Sequence, residues 1–190
     1  MNASAENRTN RPIGSFPMTT TAAEIDGLIR RFDLQPHPEG GFFRETYRSE
    51  AQVLRAGSAE ARSASTAIYY LLANGAHSAW HRIKSDEVWH FYAGEPLLVH
   101  VLNEDGTLTS HRLGNALTHP GTTFQAVVRA GCWFAAQCAD PARYALVGCT
   151  VAPGFEFSEF ELASVEALVE AWPAQREIIE RLGPVARASR

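Results

Sequence analysis

The chain has 190 residues, near the roughly 150 of a typical domain, so one domain with short tails is expected. Hydrophobic residues make up 45% and charged residues 20%, a balance that excludes wholesale disorder. The net charge is -4 and the pI about 6.0, which argues against a general nucleic-acid binder, and no apolar run approaches the ~18 residues of a membrane span.

Residues 1–20 are polar and rich in Asn, Ser, Thr and Pro, and read as a disordered tail with no secretory h-region; Met18 is an alternative start. Thr21 and Glu24 fit a capping box ahead of Ile25, Leu28, Ile29 and Phe32, which share one helical face. That helix should end near Leu34, before Pro36 and Pro38. From Phe42 to Val151, short runs of β-branched and aromatic residues alternate with turn signals. Strands are expected at 42–48, 65–73, 78–84, 87–92, 97–102, 107–113, 123–129, 132–138 and 143–151, with residues 51–63 as a mobile loop. Many short strands without intervening helices predict an all-β antiparallel sandwich or barrel. Helical periodicity returns at Val165, Leu168, Val169 and Trp172, with Ser164 as cap. Pro173 opens a further helix that closes at Gly183. The ordered domain is thus 21–183, with 184–190 as a C-terminal tail.

Cys132, Cys138 and Cys149 form no close pair, and an odd count without a secretion signal predicts free thiols and a cytoplasmic location. No phosphate-loop, dinucleotide or serine-hydrolase signature occurs.

The densest chemistry lies between Gly75 and Gly94. His77, His81 and His90 accompany Asp86 and Glu87. His81 and Glu87 are placed on adjacent strands joined by a turn at Lys84-Ser85-Asp86, where the side chains can converge across a hairpin. A converging imidazole and carboxylate supply either metal ligands or an acid–base pair.

The spacing Gly75, His81, Ile83, Glu87, Gly94 resembles the first cupin motif, and Arg129-Ala130-Gly131-Cys132-Trp133-Phe134 is the best match to the second. With Glu39-Gly40-Gly41-Phe42-Phe43-Arg44-Glu45-Thr46-Tyr47 and Gly148-Cys149-Thr150-Val151-Ala152-Pro153-Gly154-Phe155, the sequence is similar to the Cupin_5 family over roughly 24–182. The resemblance implies a jelly-roll sandwich (a double-stranded β-helix), a homodimer, a small-molecule pocket in the barrel mouth and a relation to nucleotide-sugar epimerases. Metal-binding cupins take two His and one Glu from the first motif and one His from the second. Here Ile83 and Phe134 replace two of the four, which leaves His81 and Glu87. No cofactor is therefore expected; a divalent transition metal would need His77 or His90 to complete its ligands. Strand alternation turns His90 away from Glu87.

The favoured chemistry is isomerisation or epimerisation of a sugar-like or carboxylated ligand. His81 would abstract a proton, Glu87 would orient it, and a pocket tyrosine, Tyr70 or Tyr69, would return one. Arg44, on one face with Phe42 and Thr46, would clamp an anion, and Gln125 and Trp133 complete the expected lining with Thr46, Tyr69 and His90. A metal-dependent oxygenase and a non-catalytic metabolite binder are the alternatives.

Overall fold

The computed structural model describes residues 21–55, 57 and 59–184, so the expected tail at 1–20, and the expected tail at 184–190 beyond Pro184, lie outside the described residues. Helix α1, Ala22–Phe32, opens on the capping box: Thr21 accepts from the Glu24 backbone, and Glu24 reaches back to the Thr21 backbone. Asp33 closes it in the left-handed region. Thirteen strands follow in chain order: β1 Gln35–Pro36, β2 Phe42–Arg48, β3 Gln52–Leu54, β4 Ala61–Ser63, β5 Thr66–Ala73, β6 His77–Arg82, β7 Asp86–Gly94, β8 Leu97–Leu102, β9 Leu108–Leu113, β10 Gln125–Val128, β11 Trp133–Cys138, β12 Tyr144–Ala152 and β13 Glu161–Leu162. Helices α2, Val165–Ala171, and α3, Arg176–Arg181, finish the described chain.

The strands form two antiparallel sheets, β1-β2-β5-β12-β7-β10 and β13-β6-β11-β8-β9. Between the sheets lies an interior of Tyr70, Leu72, Trp89, Leu97, Val99, Leu113, Phe134 and Val147. Alternation sends every second side chain the other way, and helices cover both outer faces. Helix α1 lays Ile25 on Leu71, Ala73 and Leu146 of the six-stranded sheet. Helices α2 and α3 lay Leu168, Val169 and Ile179 on Trp80 and Ala135 of the five-stranded sheet.

Two expectations need correction. Residues 51–63 carry a third, two-stranded sheet, β3 with β4. Arg62 from this hairpin meets Glu159 at 3.0 Å, and Arg55, just after β3, meets it at 2.7 Å; Arg55 also donates to Ser85. This largely buried ion pairing anchors the hairpin beside the barrel mouth. Strands β6 and β7 are not a hairpin either. They belong to different sheets, and residues 83–85 carry the chain across the sandwich. His81 and Glu87 thus face each other from opposite walls.

A candidate acid–base site in the barrel mouth

Five residues between β1 and β2 set the centre of the site. Gly40 and Gly41 have φ of 119° and 65°, conformations that side chains avoid. A Cβ on Gly40 would collide with the His77 carbonyl, and one on Gly41 would stand 2.6 Å from the Leu71 carbonyl. Only this Gly-Gly pair lets the loop press against the barrel. Tyr70 Oη donates to the Gly40 carbonyl at 2.9 Å, and the Ala79 N–H donates to the Glu39 carbonyl at 2.9 Å. The loop is therefore fastened to both sheets, and Glu39 enters the cavity.

The Glu39 carboxylate is held from several sides. Ser78 Oγ donates to its Oε1 at 2.8 Å, His81 Nε2 lies 3.1 Å from its Oε2, and His37 Nδ1 lies 3.6 Å from the same atom. The pairing of β6 with β11 slips by one residue between Phe134↔His81 and Ala136↔Ser78. That bulge brings both Ser78 and His81 to Glu39, which strict alternation would forbid. His81 is 3% exposed, and its Nδ1 lies 2.7 Å from the Ala79 carbonyl. A carbonyl only accepts, so Nδ1 carries a hydrogen. Nε2 and the Glu39 carboxylate form a close, buried pair.

Glu87 faces this pair from β7 and is 7% exposed. Burial raises its pKa from 4.5 to about 8, and the neighbouring Glu39 charge adds to the rise. The Cys149 thiol and the Trp89 indole favour the anion and are outweighed. At neutral pH Glu87 thus keeps its proton, while Glu39 is paired with an imidazole. Two carboxyl groups in one cavity therefore have different surroundings, the arrangement that can separate an acid from a base.

The cavity encloses about 80 Å³. Ile68, Tyr70, Ile83, Cys149 and Phe43 line it together with Glu45, Arg48, Phe155, Glu156 and Phe157. Of the residues expected to act, His81, Glu87 and Tyr70 line it. Their contacts differ from the expectation. The partner of His81 is Glu39, not Glu87. The Tyr70 hydroxyl is committed to Gly40, and burial, with Glu39 adding, holds its pKa well above 10.0, which makes it a poor proton donor.

The expected ligand contacts lie elsewhere. On β2 the phase of alternation is the reverse of that expected: Phe43 and Glu45 line the cavity, and Arg44 turns out to the Phe32 carbonyl and Asp33. Thr46 is exposed and bonds the Ala67 carbonyl. Tyr69 packs on Phe32 and Tyr92 outside the barrel. His90 and Gln125 bond each other on that same outer face, as alternation from Glu87 requires for His90. Trp133 packs among the C-terminal helices under Arg82.

The donors do not fit a four-ligand cupin metal. The Phe134 ring lies 4.0 Å from that of His81, in the place of the missing second-motif ligand. Ile83 offers only an apolar wall. His77 is engaged with the Gly183 carbonyl, and His90 faces outward, so neither completes a set. Among the described residues no three His, Cys, Asp or Glu side chains are grouped to hold a metal ion. Nor is any helix among them long and apolar enough to cross a membrane.

Two sheets closed over a ligand-sized mouth define a double-stranded β-helix, the cupin architecture. The chain belongs to the Cupin_5 family (Cupin superfamily, DUF985), whose model matches residues 26–163. It is similar to protein SO0799 from Shewanella oneidensis, at 38% identity and a TM-score of 0.74 over 83% of this chain and 96% of that one. It is also similar to a hypothetical protein from Leishmania major, at 32% identity and a TM-score of 0.76 over 84% and 98%. Oxalate decarboxylase from Bacillus subtilis, at 16% identity and a TM-score of 0.48 over 80% of this chain and 37% of that one, is too distant to bear on the chemistry. No curated protein matches the chain.

Proposed function

We propose that the chain is a small-molecule isomerase or epimerase that moves a proton at a carbon next to a carbonyl, using its own side chains. One observation carries this reading: a protonated carboxyl, Glu87, and an ion-paired carboxyl, Glu39, face one cavity from opposite sides. Glu39, held by His81 and Ser78, takes the proton from carbon. The C–H electron pair becomes the double bond of an enediol, and the carbonyl oxygen takes the proton of Glu87. In the second half Glu39 returns its proton to the neighbouring carbon and Glu87 takes one back from the adjoining hydroxyl, so no oxidant or reductant is needed. His81 and Ser78 position Glu39, and Tyr70 positions its loop.

A sugar-like substrate without a carboxylate suits the cavity better than a carboxylated one. Arg44, the expected anion clamp, lies outside, and Arg48 in the cavity wall is fully engaged by Glu45 and Glu156. The test is incubation with short aldoses, ketoses and hydroxyaldehydes in deuterated water. Deuterium is expected at the carbon beside the carbonyl of at least one of them, read by mass spectrometry. Ligands that bind without taking up deuterium would instead make the chain a binding protein.

A further inference from the structure

We propose that the group seated in this cavity carries a positive charge, as an alkylammonium. The inference rests on the reading of the cavity as a ligand site, but not on turnover. Four carboxyl side chains line it, Glu39, Glu45, Glu87 and Glu156, against one guanidinium. That guanidinium, Arg48, is spent: Nε and Nη2 donate to the two oxygens of Glu45 at 2.9 and 2.8 Å, Nη1 to Glu156 at 2.7 Å, and Nη2 also to the Phe155 carbonyl at 3.1 Å. An entering anion would meet carboxylates and a cation already neutralised by them.

The cavity wall adds a second feature, independent of charge count. Phe43, Phe155 and Phe157 all line the cavity, with the rings of Phe155 and Phe157 5.0 Å apart and nearly perpendicular. Aromatic walls beside carboxylates are the arrangement that favours a poorly hydrated ammonium over a neutral group of the same shape. Deeper in, Glu87 is more than nine-tenths buried, faces the cavity, and has no ion-pair partner among the described residues. The groups around it are Glu39 from the glycine loop, Tyr70 from β5, His81 from β6, Cys149 from β12 and the Trp89 indole on its own strand. None forms an ion pair with it, and the His81 imidazole is paired with Glu39 instead. A ligand cation would form one, and Glu87 would then release its proton on binding.

The probes are choline, the uncharged alcohol in which carbon replaces its nitrogen, and trimethylacetate. Each is titrated calorimetrically into the full chain at neutral pH, in two buffers of different ionisation enthalpy. Choline does not titrate, so any proton released comes from the protein. Choline is expected to bind about tenfold or more tightly than its uncharged isostere, with trimethylacetate weakest. Proton release should accompany choline binding and disappear in Glu87→Gln, while Glu45→Gln should weaken choline and leave proton release intact. Equal affinity for the isostere, tighter binding of trimethylacetate, or no choline binding would overturn the inference. Deuterium incorporation into an uncharged sugar would survive that result, so the two readings fail separately.

Discussion

Glu39→Gln should lower deuterium incorporation by roughly 10²–10⁴-fold, the usual worth of a positioned general base, while the chain stays folded. The amide keeps the size of the side chain and can still accept from Ser78 Oγ, which holds Glu39 Oε1 at 2.8 Å. It cannot take a proton from carbon. His81→Asn is the companion variant, because His81 is read as acting through Glu39, 3.1 Å away. It should lower the rate less than Glu39→Gln, because Ser78 still holds the carboxylate. Wild-type incorporation by a folded Glu39→Gln would remove Glu39 from the chemistry.

Stability should fall as pH rises from about 4.5 to about 8, and Glu87 is the cause. Its pKa is raised in the folded chain, so between those values the native state holds a proton that the unfolded state has released. The unfolded state binds fewer protons, and the slope of stability against pH is negative. The contribution is fully present below the unfolded pKa and is lost as pH passes the folded one. The whole loss is on the order of a few kcal/mol. Glu87→Gln mimics the protonated side chain and should remove the slope. In thermal melts the variant should match the wild type near about pH 5 and exceed it near about pH 9. Parallel curves across that range would show that Glu87 is not the titrating group.

Most of the scaffold was legible from residue pattern. Leu97–Leu102 is the strand expected, the capping box at Thr21 forms, and the Ser164 cap opens α2. These signals are local: alternation, β-branching and a side chain that answers a backbone N–H. What failed depends on distant parts of the chain. Phe42-Phe43 gives β2 an aromatic residue on each face, so periodicity could not decide which face turns inward. Phe42 packs with the α1 cluster and Phe43 with the interior, and Arg44 follows Phe42 outward. Lys84-Ser85-Asp86 has turn residues, but these residues help carry the chain between sheets rather than within one. Glu39 was legible only as part of the family motif. A carboxylate directly before two glycines was the available hint, because paired glycines mark a backbone that must pass close to something. Which something, the Leu71 and His77 carbonyls, is a tertiary fact.

One cavity holds a protonated Glu87 together with an ion-paired Glu39. Carboxyl-carbon NMR of glutamate-labelled protein, followed across pH, tests it without a substrate. One resonance should titrate with a midpoint near about 8 and be missing from the Glu87→Gln spectrum. If every glutamate titrates in the ordinary carboxylate range, the cavity holds no resident acid, and the proton-transfer account is contradicted.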